Sequence, residues 1–447
     1  MKELTCPIPA LSPKAGWKAL KALINQRSLL AALEALHAHI GNAFRITLPA
    51  FQPVVLVGPE NSRPILVTQR EKFNWRTEND PVTKLLRRGL LVEDSESHHC
   101  LRNLMSRPFH RRQVQSHISE MGRCTDIVIE NWQDGQQLDM LVEMRRAALL
   151  ILMRTLFGVE FQADMEHMWR PILRAIDYIS PGLWLLWKDV PRFGFNQPLK
   201  ELDDYLYDLI RVRRETVGKD LETSDIDDLL THLIKTPHMT NNLIRDQLLT
   251  MLIAGHDTST AMLSWALYLL GRHPQSMAKV QAEIDTALAG SQPNQNNIDN
   301  LPYLDQVIKE TLRLYPPIHI GSRRAAEELT VNGHQIPVGT RVMYSIYLAH
   351  RDPKYWPDPA VFRPERFVLN NYAEKQPPFT YLPFGGGPRN CIGATFAQIE
   401  ARVVLSRILQ QFSLHLLNQD VRMHMGATLE PRPGVHMRVN RRRVHHD

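Results

Sequence analysis

The sequence predicts a mainly α-helical protein with a minor β part, and three observations carry that prediction. Apolar residues recur at helical spacing from about residue 60 to 290 and again from about 393 to 412. Alternating, β-branched stretches are confined to residues 44–57, 330–345 and the C-terminal stretch after 412. No alternating strand–helix series runs through the chain, which argues against a doubly wound sheet.

The elements follow in order. Residues 17–41 carry apolar positions three and four apart and predict a helix, and residues 44–57 (FRITLPAFQPVVLV) predict strands. The helical region that follows is interrupted by a loop at 74–96 and by the Pro- and aromatic-rich stretch 180–198. Residues 291–300 (SQPNQNNIDN) predict a loop that ends near a helix start at Leu301. Residues 330–345 read as a small hairpin, and 351–390 hold Pro, Gly and aromatics with little periodicity. No internal repeat and no Gly/Ser or Pro linker is present, so residues 1–447 read as a single large domain, with 1–43 an N-terminal extension and first helix.

Composition narrows the class. The chain has 447 residues, 43% of them hydrophobic and 22% charged, which excludes collagen-like, low-complexity and disordered proteins. Four widely spaced cysteines (Cys6, Cys100, Cys124, Cys391) without a Cys-x-x-Cys read as free thiols of a reducing compartment. A net charge of +6 is modest for this size, and the basic residues are spread among 47 acidic ones, so nucleic acid is not an expected partner. The one basic cluster, Arg438, Arg441, Arg442 and Arg443 followed by His445 and His446, is either a solvated terminus or a surface for an acidic protein.

No signal peptide is visible in residues 1–13. The apolar run 246–271 approaches membrane-spanning length, but His256, Asp257 and Thr258 in its middle would be costly in lipid. It reads as a long buried helix. The runs 147–153 and 183–187 are too short to span. The expectation is therefore a cytoplasmic protein with no membrane anchor.

Three motifs carry chemistry. The strongest is Phe384-Gly-Gly-Gly-Pro-Arg-Asn-Cys-Ile-Gly393, a lone cysteine in a glycine-dense loop just before a helix. Close backbone N–H groups and a helix N-terminus both favour a thiolate there. Structural zinc and dithiol redox chemistry lack a second cysteine, and neither the phosphate-loop nor the dinucleotide spacing is met. The second is Glu310-Thr-Leu-Arg313, whose ends share a helix face, on a helix whose packing is marked by Leu304, Ile308, Leu312 and Tyr315 and which Pro316-Pro317 stops. The third is Ala254-Gly-His-Asp-Thr-Ser-Thr260, where Asp and Thr interrupt a buried helix and need a reason; the plain one is a Thr hydroxyl bonded back to its own helix.

The cysteine loop resembles the haem-binding loop of the cytochrome P-450 family, Phe-x-x-Gly-x-Arg-x-Cys-x-Gly, at Phe384, Gly387, Arg389, Cys391 and Gly393. Glu310-x-x-Arg313 followed by Pro364-Glu-Arg-Phe367 is similar to the family's buried ion network, and 254–258 to its oxygen-binding signature. The resemblance implies haem b buried between the long helix and the cysteine loop, with Cys391 as the iron's thiolate ligand. It further implies that Phe384, Arg389 and Gly393 form the cofactor loop, with Arg389 on a propionate. Gly255 would leave room for dioxygen beside a helix distortion, and Asp257 and Thr258 would relay protons. Two weaker matches complete the pocket: His98 and Arg102 resemble a propionate-binding pair, and Arg323 another such arginine, its neighbour Arg324 being the alternative.

The implied activity is that of a soluble, bacterial-type monooxygenase inserting one atom of O₂ into a lipophilic small molecule of the fatty acid, terpenoid, steroid or polyketide class. Substrate walls are expected from 74–96, 165–200, the long helix and 318–320, with Trp169, Trp184, Trp187, Phe193 and Phe195 as candidate contacts or plain packing. Residues 392–447 are too few for a flavin domain, so electrons are expected from a separate ferredoxin or flavodoxin with its reductase. A peroxide-using or peroxide-rearranging enzyme and a non-catalytic haem protein are the alternatives.

Overall fold

The computed structural model describes residues 7–442 apart from 27, 49–50, 76, 78–79, 183–191, 220–227 and 369–371. The first predicted helix is two: α1 (Pro13–Gln26) and α2 (Leu29–Ile40), which pack on one another through Ala15, Ala19, Leu30 and Leu33. The small residues let the two axes approach, and this pairing sets the break that periodicity alone does not reveal.

Strands β1 (Ala43–Arg45), β2 (Val54–Leu56), β3 (Phe73–Asn74), β5 (Ile320–Ala325) and β8 (Arg341–Ser345) form one sheet in the order β1-β2-β8-β5-β3, where β4 is Gln137–Asp139, β6 is Leu329–Val331 and β7 is His334–Ile336. Only β2 and β8 run parallel in it. The predicted hairpin 330–345 is therefore corrected. Its first half pairs as β6–β7, but β8 joins the larger sheet, because Val342 and Tyr344 bury against β2 and β5. The C-terminal strand β12 (His436–Arg441) pairs with β4 on one side and with β9 (Phe412–Leu416) on the other, and β10 (Arg422–Met425) pairs with β11 (Leu429–Arg432).

The helical body comprises α3 (Ser95–Ser106), α4 (Ile118–Ile129), α5 (Met140–Phe157), α6 (Met165–Ile179), α7 (Asn196–Lys219), α8 (Asn241–Arg272), α9 (Pro274–Leu288), α10 (Pro302–Leu314) and α11 (Ala394–Gln411). Its centre is α8, capped by the Thr240 hydroxyl on the Leu243 N–H at 3.2 Å. The helix packs along α5, with α7, α10 and α11 around it.

The stretch expected as a loop at 74–96 contains a short helix, Pro81–Leu86, and is fastened to α8 by side chains. Gln247 accepts from the Leu90 N–H at 2.8 Å and donates to the Arg88 carbonyl at 2.9 Å, while Asp246 accepts from the Arg88 N–H at 3.2 Å. Buried main-chain groups outside regular structure need partners, and the polar first turns of α8 provide them. One wall of the interior is thereby held against the helix. No described helix is long and apolar enough to cross a membrane.

Candidate functional site

Between residues 244 and 267, α8 is buried everywhere except at Ala254, Gly255 and Thr258. These positions share one side of the helix, so a single window opens in an otherwise enclosed element. Thr258 Oγ1 donates to the Ala254 carbonyl at 2.6 Å. Its hydrogen is thus committed to the helix, and its lone pairs remain to accept from a donor in the window.

The helix runs unbroken through Gly255. A Cβ on Gly255 would come 2.6 Å from Leu152 Cδ1, so the missing side chain permits the close approach of α5. Asp257 turns away from the window. Its carboxylate accepts from the Thr428 hydroxyl at 2.7 Å and lies 4.0 Å from Arg145 of α5, which is paired with Glu430. Burial first, and the negative charge of Glu430 second, push Asp257 above the usual carboxylate range. Thr258 and Asp257 are therefore not hydrogen-bonded to one another. They face two compartments, and sequence adjacency alone did not reveal this.

The cysteine loop precedes α11. The Cys391 N–H donates to the Phe384 carbonyl at 2.8 Å, closing the turn between two of the expected site residues, and Gly393 stands as the residue before α11. Gly387 has φ +69°, and a Cβ there would collide with the Leu66 carbonyl oxygen, so only glycine fits this crossing. The Cys391 side chain is accessible. Burial pushes the Cys391 thiol up, while the Gly393 N–H and Arg102 pull it back. In the polypeptide itself, burial is the larger of these influences.

The expected anion-binding side chains divide into two groups. Arg102 reaches from α3 to Asn390, donating to its carbonyl at 2.8 Å and its Oδ1 at 2.7 Å, so in this structure it clamps the residue before Cys391. His98, Arg323 and Arg389 instead line one pocket with Trp75 and Asp94. Arg389 pairs with Asp94 at 2.9 Å. Arg323 is buried over the Trp75 ring at 3.9 Å, and among the described residues no carboxylate stands within 4.0 Å of it. The alternation of β5 turns Arg323 inward and Arg324 outward, where Arg324 donates to the Gly339 carbonyl at 3.0 Å.

All three basic side chains of the pocket are lowered. Burial, then Arg389 and Arg102, bring His98 to about 4. Burial, countered by Asp94 and reinforced by Arg323, brings Arg389 to about 10, and burial lowers Arg323. Buried like charges depress one another in this way, and an anion entering the pocket would relieve them. Among the described residues no cluster of His, Cys, Asp and Glu could hold a metal by itself.

Behind the loop lies the ion network. Arg313 grips Glu310 with two hydrogen bonds, 2.7 and 2.8 Å, both side chains wholly buried, and Arg366 stands 3.4 Å from the same carboxylate. Sequence reasoning missed four participants in the site: Arg145 with Glu430, the Trp75 ring, and Glu400, whose carboxyl accepts from Ser259 at 2.5 Å. Glu400 had a usable signal, since it follows Ile399 on the apolar side of α11 that also buries Phe396, Val403 and Val404. Of the candidate substrate contacts, Phe195 packs on Tyr178 at 5.4 Å under Arg174, Phe193 is exposed, Trp169 is partly buried, and Trp184 and Trp187 lie outside the described residues.

Residues 14–437 match the family model described as Cytochrome P450. The chain is similar to a probable cytochrome P450 4d20 of Drosophila melanogaster, 30% identical over 80% of this chain and 77% of the fly protein. It is equally similar to a putative cytochrome P450 139 of Mycobacterium tuberculosis, 30% identical over 86% of this chain and 92% of the other. In three dimensions it superposes on the haem domain of cytochrome P450DA with a TM-score of 0.86 at 24% identity, covering 98% and 99% of the two chains. It also superposes on a retinoic-acid-bound cyanobacterial CYP120A1, with a TM-score of 0.83 at 24% identity over 98% and 100%.

Proposed function

The chain belongs to the cytochrome P450 family, and on that premise we propose that it oxygenates a lipophilic small molecule with electrons delivered by a separate protein. Monooxygenation with a cysteine-ligated haem is the chemistry of the family. The bound haem supplies oxygen activation, which thiolate ligation favours.

The residues present fit that group. The observation that carries the reading is the pocket beside the Cys391 loop in which Arg323 and Arg389 stand with a neutral His98, and where Arg323 has no carboxylate in reach among the described residues. Arg323 and Arg389 would receive the negative charge of the haem propionates there. Cys391 would hold the iron, its proton displaced by the metal. Arg102 would act one step removed, fixing Asn390 and thereby the sulfur. His98, held neutral, would donate a hydrogen bond without bringing charge.

The window on α8 is where substrate and O₂ would meet. Ala254 and Gly255 offer apolar surface, and Thr258 offers an acceptor whose own hydrogen is already bound, which suits a lipophilic guest. The raised pKa of Asp257 suits a group that takes up and releases protons near neutrality. With Asp257 and Thr258 in separate compartments, the proton path between them requires a water or a turn of the Asp257 side chain.

For the electron donor, exposed Arg112 follows Phe109, which packs on Phe396 of α11 at 6.4 Å, so positive charge flanks the cysteine side of the molecule, although neighbouring Arg111 is paired with Asp299 at 2.7 Å. An acidic ferredoxin or flavodoxin fits that face. The C-terminal cluster contributes less, because Arg442 is spent on Asp285 at 2.6 Å. The test is turnover of a lipophilic substrate panel with NAD(P)H, ferredoxin and its reductase. Product formation in that system supports the reading, and product formed only with added peroxide overturns the separate electron donor.

A further inference from the structure

Helix α1 carries a solvent-facing apolar stripe that the oxidative chemistry does not use. Trp17, Leu20 and Ile24 stand three and four residues apart, on one side of the helix, and are 69%, 43% and 65% exposed. The opposite side, Ala15 and Ala19, is buried against α2. Lys14, Lys18 and Lys21 are exposed beside the stripe, and α1 contains no acidic residue.

The neighbouring charges do not neutralise these lysines. Among the described residues none of the three forms an ion pair. Lys18 meets only the His39 ring, at 3.4 Å, and Glu34 of α2 is turned to the Tyr347 hydroxyl at 2.6 Å. Scattered apolar side chains on a surface need no explanation, but a tryptophan and two branched aliphatics aligned on one helix edge with three lysines do.

We propose that α1 is a docking helix for an anionic lipid surface. Trp17, Leu20 and Ile24 would enter the boundary between headgroups and acyl chains, and Lys14, Lys18 and Lys21 would meet lipid phosphates. At 14 residues the helix is about 21 Å long and cannot cross a bilayer, so it lies in the plane of the interface. Tryptophan is favoured at that depth, and the charge pattern selects acidic headgroups. A second copy of this chain fits less well, because a two-fold contact across the stripe would bring two sets of lysines together.

The experiment uses the full-length haem-loaded protein and vesicles of phosphatidylcholine, with and without phosphatidylglycerol. Co-sedimentation is expected with the mixed vesicles and about tenfold less with phosphatidylcholine alone. The triple variant Trp17→Ser, Leu20→Gln, Ile24→Gln is expected to lose about tenfold or more of that binding with its visible and circular dichroism spectra unchanged. A wild-type protein that binds neither vesicle overturns the proposal. So does equal binding to both vesicle types, or a triple variant that binds like the wild type. A dimer seen by light scattering that this variant disperses would assign the stripe to a second copy instead.

Discussion

Arg313 and His350 form the joint between the buried ion pair and the cysteine loop. Arg313 Nη1 donates to the main-chain oxygen of His350 at 2.9 Å, and Nε2 of the same His350 accepts from the Leu382 N–H at 2.7 Å. The Leu382 carbonyl then accepts from the Gly385 N–H at 3.0 Å, within the loop that ends at Cys391. Burial and the charges of Arg313 and Arg351 bring His350 down to about 3, so its ring stays neutral and able to accept. A pair on α10 that never touches the sulfur thus fixes the loop that presents it.

Replacement of Glu310 with alanine is expected to abolish the folded, haem-containing protein. It strands Arg313 and Arg366 without their shared carboxylate, a loss of about 3–5 kcal/mol. Set against a total stability of about 5–15 kcal/mol, that is severe. Soluble yield, far-UV circular dichroism and the haem-to-protein ratio measure it. A normal yield of fully loaded protein would contradict the role of the network.

Arg323→Gln and Arg324→Gln separate two neighbours that the sequence leaves ambiguous. Arg323 faces the cationic pocket and Arg324 the Gly339 carbonyl. Loss of a charged hydrogen bond costs about 1.5–3 kcal/mol, so haem transfer to an acceptor protein is expected to speed up roughly tenfold to a hundredfold for Arg323→Gln only. Equal rates in the two variants would remove Arg323 from the haem pocket.

Thr258→Ala is expected to leave haem content intact and to raise the hydrogen peroxide released per NAD(P)H consumed, because the only hydroxyl in the α8 window is lost. Peroxide and product are measured together in the reconstituted system. Unchanged coupling would take Thr258 out of proton handling.

Stability should depend on pH through Glu400. Burial pushes its carboxyl up to about 8 from an ordinary 4.5, with the Ser259 hydrogen bond acting the other way. The folded state therefore binds this proton more tightly than the unfolded chain. The contribution is complete below about pH 4.5 and is lost as pH rises through 8, by at most about 1.4 kcal/mol per pH unit. Glu400→Gln is expected to melt at a higher temperature than wild type at pH 8 and to lose that advantage at pH 5. A difference that does not vary with pH would contradict a protonated Glu400.

The parts of the molecule carried by local pattern were legible in the sequence. The spacing from Phe384 to Gly393, the helix bearing Glu310 and Arg313, and the polar interruption at 256–258 all survive as elements in their expected places. What escaped depends on which surfaces meet. The Gln247–Leu90 bond joins residues 157 positions apart, and the Arg145–Glu430 pair joins residues 285 apart. The split of residues 13–40 into α1 and α2 follows from their packing on each other, and the departure of β8 from its hairpin follows from a neighbour almost three hundred residues earlier in the chain. The reason for Gly255 lies on Leu152, a residue of another helix.

The absorption spectrum of the dithionite-reduced protein under carbon monoxide tests the central claim, ligation of haem iron by the Cys391 thiolate. A strongly red-shifted Soret band, absent in a Cys391→His variant that still binds haem, is the expected result. A well-folded protein with no haem band, or a band at the position given by a neutral ligand, would contradict it.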